Sequence, residues 1–184
     1  LAGFHVVSIM TTTGFATTDF DQWTAAAKSI LLLLMIIGAC AGSTGGAIKV
    51  VRILLVLKSG YRELRHVLHP KAVIPLRLGS LSVKDEMLRP SNIFVAMYII
   101  IFAQASLLLA IISYHDPRMT IETVLAAVAA TLGNVGPGVG MVGPTLSFAE
   151  IHPAGKMLLF LCMWIGRLEI VTALVMLVPE FWKK

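Results

Sequence analysis

Two four-residue stretches carry the chemistry that this sequence can perform with its backbone. Thr12-Thr13-Gly14-Phe15 and Asn134-Val135-Gly136-Pro137 each place a glycine third, and neither holds a charged residue. Glycine permits φ > 0 and leaves neighbouring carbonyls exposed. A ring of carbonyl dipoles can replace the hydration shell of a monovalent cation. A second candidate is the cluster Gly42-Ser43-Thr44-Gly45-Gly46, which interrupts the apolar run 29–56. No Gly-Lys-Ser/Thr follows it, so it does not meet the phosphate-binding pattern. It reads instead as unwound backbone near membrane depth, close to whatever passes. The third is Arg167, inside the apolar run 153–178, where a charge costs about 2.5–3.5 kcal/mol on insertion scales. Such a guanidinium is expected to face a water-filled cavity, to repel cations, and to hold the glycine cluster in place.

The segments around these residues are built to place them. Ile121 to Leu132 is an Ala- and Leu-rich run about 18 Å long at 1.5 Å per residue, too short to cross a bilayer. It is followed by Gly133, Gly136, Gly138, Gly140 and Gly143, with Pro137 and Pro144. A short apolar helix and a glycine-rich return predict a re-entrant pore loop, because irregular backbone at membrane depth survives only when buried or lining a water-filled path. The beginning of the chain repeats the plan. Residues 4–10 are apolar, Thr11-Thr12-Thr13-Gly14-Phe15-Ala16-Thr17-Thr18 follows, and a spanning helix is expected to begin near Trp23. Asp19 and Asp21 are placed to draw cations to the outer mouth. Lys28-SILLLLMII-Gly38 aligns without gaps on Lys156-MLLFLCMWI-Gly166, at the same place after each loop, as an internal repeat would require.

Composition agrees with a membrane setting. Of 184 residues 57% are hydrophobic and only 14% charged, with mean hydropathy +0.86. The runs 29–56, 93–113 and 157–178 approach or exceed the ~20 residues that span a bilayer. Cys40 and Cys162 both lie in apolar runs, which excludes a disulfide scaffold and predicts packing as small hydrophobes. Residue 1 is Leu and no signal peptide is legible, so the stretch is expected to belong to a longer chain. Nine basic residues, Lys49 and Arg52 near the end of the first run and Lys58, Arg62, Arg65, Lys71, Arg77, Lys84 and Arg89 after it, precede the second run. By the positive-inside rule the connector 58–90 is cytoplasmic, as is the C-terminus with Lys183 and Lys184, and the connection 114–152 faces outside. The charge of +5 then reads as topology, with anionic lipid contact as an addition, and not as nucleic-acid binding. Arg62, Arg65, His66 and His69 are either solvated surface or a docking face for a cytoplasmic partner. A secondary transporter with broken helices, for another small cation, is the alternative function. Its copies are often inverted, whereas these two run in the same direction, which favours a pore. An enzyme is not expected: Ser43 has no histidine at helical spacing, and Asp19-Phe20-Asp21 alone is too little for a metal centre.

The strings TTTGFATTDFDQW, GACAGSTGGAIKVVRILLVLK, TLGNVGPGVG and MWIGRLEIVTAL together resemble the Trk/Ktr potassium uptake family, on the side of its TrkH-type membrane subunit. The resemblance implies an all-α membrane protein of repeated helix–pore-loop–helix units, as in potassium channels. Residues 1–57 would be the third of four pore repeats, lacking its outer helix, and 91–184 the complete fourth. Thr12, Thr13, Gly14 and Phe15 would be the third filter segment and Asn134, Val135, Gly136 and Pro137 the fourth. Gly42, Ser43, Thr44, Gly45 and Gly46 match the family's intramembrane gating loop and Arg167 the arginine that works with it. Ala47 departs from the pattern, since a third glycine is commoner there. The resemblance further implies K⁺ as the transported ion, no cofactor, a homodimer in the bacterial inner membrane, and a TrkA-type cytoplasmic nucleotide-binding regulatory subunit.

Overall fold

The computed structural model describes residues 1–184 apart from 41, 44, 71, 73, 74, 79, 80, 83, 84, 169, 171, 173, 174, 176–181, 183 and 184. Six helices account for most of it: α1 (Ala2–Met10), α2 (Ala25–Ile37), α3 (Val50–Leu68), α4 (Asp85–Ile112), α5 (Ile121–Leu132) and α6 (Pro153–Arg167). The strands β1 (Arg77–Leu78) and β2 (Leu81–Ser82) form a two-residue antiparallel ladder between α3 and α4. The fold is all-helical in class. Within α4, Leu88–Ile112 is the one described helix long and apolar enough to cross a membrane.

The short apolar helix expected before the second glycine loop is α5, and it is the centre of the molecule. Thr120 caps it, accepting the Thr123 N–H at 3.3 Å, and Glu122 complements the dipole in its first turn. Nine of its twelve residues are buried, because α2, α4 and α6 all pack on it. A helix apolar on every side can be stable only in such a position. Small residues do this work: Ala126, Ala127, Ala129 and Ala130 are essentially inaccessible, letting neighbouring helices approach closely.

The run 29–56 is not one helix. The backbone leaves α2 at Gly38 (φ +65°) and re-enters helix only at Val50. The excursion closes on itself: the N–H groups of Ile48, Lys49 and Val50 donate to the carbonyls of Ile36, Ile37 and Ala39 at 3.2, 3.0 and 3.2 Å. These are carbonyls that a helix C-terminus leaves without partners, so the returning chain completes the helix it has just left. Ala47 and Lys49 hold left-handed φ of +63° and +74°, a hand that non-glycine residues adopt uncommonly. Cys162 is buried as expected of a small hydrophobe, whereas Cys40, on the excursion, is exposed.

α3 continues well past residue 58, so the non-helical connector is shorter than the charge pattern suggested. Arg52 stacks on the Phe94 ring at 3.8 Å, tying α3 to α4. Gly60 sits mid-helix with open space where a Cβ would be. Gly60→Ala is therefore expected to stabilise the full-length protein by about 0.5–1 kcal/mol, read as a raised unfolding midpoint.

Candidate functional site

Each four-residue stretch follows a short helix whose last turn holds it by the same ladder. Thr12 N–H donates to Ile9 O at 3.0 Å, and Thr13 and Gly14 to Ser8 O at 2.8 and 3.3 Å. In the second copy Asn134 donates to Thr131 O at 3.1 Å, and Val135 and Gly136 to Ala130 O at 2.9 and 3.4 Å. The dihedrals agree as well. The first and third residues have left-handed φ in both copies, +57° and +77° at Thr12 and Gly14, +55° and +109° at Asn134 and Gly136, whereas Thr13 and Val135 do not. Alternating hand is uncommon in a non-glycine backbone, and its recurrence extends the repeat from sequence to conformation.

The repeat continues beyond the loops. Asp19 and Ser147 each cap a 3-10 turn, Phe20–Gln22 and Phe148–Glu150, accepting the N–H two residues on at 3.1 and 3.4 Å. Thr24 and His152 then cap α2 and α6. Lys28 reaches back to the first turn at Asp21 (3.8 Å), and Lys156 to its counterpart at the Ala149 carbonyl (2.6 Å).

The tertiary structure brings the two stretches and the excursion together. A Cβ built on Gly14 would collide with the carbonyl of Val135, so the two stretches lie against each other at that point. One built on Gly45 would lie 2.6 Å from Thr12 Oγ1, and one on Gly46 3.0 Å from Asn134 Nδ2 and 2.8 Å from the Gly133 carbonyl carbon. The excursion thus passes directly beside the first residue of both stretches. Ser43 turns its hydroxyl inward, accepting the Gly45 N–H at 3.1 Å; Thr44 lies outside the described residues. Gly166, at the end of α6, meets the Leu132 carbonyl and also stands 2.9 Å, by the same construction, from Asn134 Nδ2. Arg167 follows as the last residue of α6, with its side chain exposed, and Glu169 lies outside the described residues. The Phe15 carbonyl accepts the Ser8 hydroxyl at 2.7 Å, so it is turned toward the supporting helix, while Pro137 packs beside Gly14.

Three sets of side-chain contacts were not legible in the sequence, two of them at residues it had singled out for other roles. The Asn134 amide donates to Met163 O at 3.3 Å and stands between the excursion, the second stretch and α6. His5 is 1% exposed; its Nε2 accepts the Thr17 N–H at 3.4 Å, and Phe20 and Trp23 meet its ring edge-on. A histidine in an apolar run was the available signal for it. The third is the outer network. Asp19 and Asp21 also hold local structure: Asp19 accepts in its cap and from Gln22 Nε2 (3.2 Å), Asp21 from the Gly140 N–H (2.9 Å), and it pairs with Lys28. Lys28 also pairs with Glu122 at 2.9 Å. These contacts join the loop after the first stretch to the loop after the second. Asp21→Ala is expected to lower stability by about 1.5–3 kcal/mol, the range for a hydrogen bond to a charged group. Asp21→Asn, which keeps a neutral acceptor, should retain about half of it, as thermal unfolding of the two variants would report.

On the 114–152 side Arg118 donates to Asp116 and to Glu150. The Arg118 side-chain hydrogen bond holds the Asp116 carboxyl below its ordinary range. Its contribution is therefore present above the unfolded value of about 3.9 and is lost only as pH falls through the lowered one. Among the described residues no cluster of three or more His, Cys, Asp or Glu is arranged to hold a metal ion.

Comparison with known proteins places this arrangement. The TrkH family model, described as a cation transport protein, matches residues 1–184. The chain is 39% identical over 183 residues to the Trk system potassium uptake protein TrkH of Salmonella typhimurium and covers 36% of that protein. It is 40% identical over 180 residues to the protein of the same description from Vibrio parahaemolyticus, again covering 36% of it. The crystal structure of the potassium transporter TrkH from Vibrio parahaemolyticus superposes with a TM-score of 0.84 at 40% identity, over 98% of this chain and 37% of that one. The chain spans just over a third of the length of these relatives. It belongs to the TrkH family of cation transport proteins, an all-helical membrane family.

Proposed function

We propose that this chain supplies two of the four filter segments of a potassium uptake pore in the bacterial inner membrane. K⁺ loses its water to backbone carbonyls of the two stretches, Thr12-Thr13-Gly14-Phe15 and Asn134-Val135-Gly136-Pro137, apart from the Phe15 carbonyl, which Ser8 holds. The observation that carries this reading is the shared backbone of those stretches: the same hydrogen-bond ladder and the same left-handed residues, with the two in contact where Gly14 meets Val135. Fixed carbonyl dipoles select by number and placement without any charged ring. The relatives named above are described as potassium uptake proteins, which supports K⁺ as the ion.

The excursion holding Gly42, Ser43, Thr44, Gly45 and Gly46 is the gate beneath the filter, and Arg167 is its electrostatic partner. Gly45 and Gly46 lie beside Thr12 and Asn134, and Gly166, next to Arg167, stands against the same Asn134 amide as Gly46. Arg167→Ala is expected to raise basal K⁺ conductance about tenfold, equivalent to about 1.4 kcal/mol of barrier. An unchanged leak in single-channel recording would remove the gating role.

The connector and the C-terminus face the cytoplasm, the full protein pairs with a second copy, and a cytoplasmic nucleotide-binding subunit of the TrkA type regulates it. The first experiment is growth of a potassium-uptake-deficient bacterium at low K⁺, carrying either the full-length parent gene or this 184-residue stretch. Rescue by the parent alone is expected. No rescue by an expressed, membrane-inserted parent would favour a broken-helix transporter of another cation, and rescue by the stretch alone would overturn the four-segment pore.

A further inference from the structure

A cup of cationic side chains lies well away from the filter, where α3 emerges from the packed helices. Lys58, Tyr61, Arg62 and Arg65 of α3 and Pro75, Leu76 and Arg77 of the connector enclose about 210 Å³. No carboxylate is among the described residues lining it. Glu63 contacts Arg62 at 3.8 Å, but from the far side of the helix, about 140–200° around from Lys58, Tyr61 and Arg65. The cup is held in shape. Lys58 donates to the Arg77 carbonyl at 2.6 Å, using one of its three donors, and Arg65 stacks on the Tyr61 ring at 4.8 Å. Leu76, 5% exposed, anchors the connector in a small core with Leu55 and Leu88. Leu88 lies in α4 about one turn before the apolar run 93–113 begins, so the cup stands just beyond the end of that run.

Size and surroundings select the ligand. A volume near 210 Å³ lies below the ~300 Å³ at which pockets for whole small molecules begin. It suits a phosphate with its immediate substituent better than a complete nucleotide. Convergent cations, with no carboxylate among the described lining residues, call for an anion, and the forked guanidinium of Arg65 or Arg77 beside Lys58 suits phosphate oxygens. On the same face of α3, one to two turns toward the filter, Leu54 and Leu57 are 42% and 64% exposed. An apolar lane leads straight into the cationic cup.

We propose that this cup binds the phosphate of an anionic phospholipid headgroup, with the acyl chains lying along Leu54 and Leu57. Lys58, Arg65 and Arg77 supply the charge, and Tyr61 sits at the interface, where its ring and hydroxyl meet apolar and wet surroundings at once. This site is independent of the filter assignment.

The test uses the full-length protein, purified with phosphatidylglycerol or with phosphatidylcholine, and bound lipid counted by native mass spectrometry. Phosphatidylglycerol should be retained in preference. Arg65→Gln and Arg77→Gln, measured singly, should each weaken retention about fivefold, as expected for one cation near a charged headgroup. Arg89→Gln, an exposed cation outside the cup, should leave it unchanged. Retention that is equal in the cup variants and the parent overturns the site. An Arg89→Gln loss as large as theirs would show general surface charge only. Displacement of phosphatidylglycerol by excess inorganic phosphate would mark a site for a soluble anion and overturn the lipid assignment.

Discussion

Gly14→Ala in the full-length protein should cut potassium uptake by about a hundredfold, equivalent to about 2.7 kcal/mol, and abolish discrimination against Na⁺. Two costs combine at this residue. Its φ of +77° costs an L-residue about 1–2 kcal/mol, and the new methyl would drive into the Val135 carbonyl of the facing stretch. That obstacle is backbone, and in the proposed pore it is a filter carbonyl, so it cannot yield without moving the oxygen meant to meet the ion. Gly136→Ala separates the two costs. Its φ of +109° is strained for any side chain, yet nothing lies within 4 Å of the added methyl. It should weaken selectivity while leaving more uptake than Gly14→Ala. Parallel Rb⁺ uptake and K⁺/Na⁺ competition in the two variants would check this. Undiminished discrimination in both would refute the filter assignment, and a Gly136 variant as inactive as the Gly14 one would mean that strain alone decides.

Gly166→Ala should destabilise the protein by about 2–3 kcal/mol, toward the upper end of overpacking costs, and impair uptake at the same time. In a helix interior alanine is intrinsically preferred over glycine by about 1 kcal/mol, so propensity alone predicts the opposite sign. Packing reverses it. The methyl would strike the Leu132 carbonyl at the end of α5 and stand 2.9 Å from Asn134 Nδ2. Relief requires α6 to move off α5, and Asn134, which donates to Met163 of α6, would move with it. Gly155→Ala, earlier in the same helix, is the control. Its methyl meets the side-chain carbons of Ile151 and Leu109 at 2.9 and 3.1 Å, and side-chain ends can give way. Thermal unfolding and uptake of both variants would decide, and a stabilised Gly166 variant would show that the approach of α6 to α5 is looser than described.

What could be read directly was whatever depends on local pattern. The short helix Ile121–Leu132 was delimited to the residue, because its Ala- and Leu-rich run ends at a glycine and begins at a threonine cap. The repeated loops were visible because glycine spacing survives in both copies. The break in the run 29–56 was anticipated at the glycine cluster, yet the backbone leaves the helix at Gly38 and returns only at Val50. Composition marks where backbone is permitted to unwind. The bonds from Ile48, Lys49 and Val50 back to Ile36, Ile37 and Ala39 decide how much of it does.

Charges were the least legible. The partners of Asp19 are local, the Asp21 N–H and Gln22, but those of Asp21 include the remote Gly140, and Lys28 is shared with Glu122. Asn134 gave no side-chain signal at all, since its amide acts on α6 and the excursion, both remote along the chain. By itself, then, the sequence determined an all-helical membrane protein and its family, and showed a repeated short-helix and glycine-loop pattern, since apolar periodicity and glycine spacing are local properties of the chain. Only the tertiary structure decided that the two stretches meet at Gly14 and Val135, that the excursion passes beside both, and that Asp21 reaches Gly140 and Lys28 reaches Glu122. Those outcomes depend on which surfaces α5 brings together, and contacts between segments a hundred residues apart leave no periodic trace in either of them.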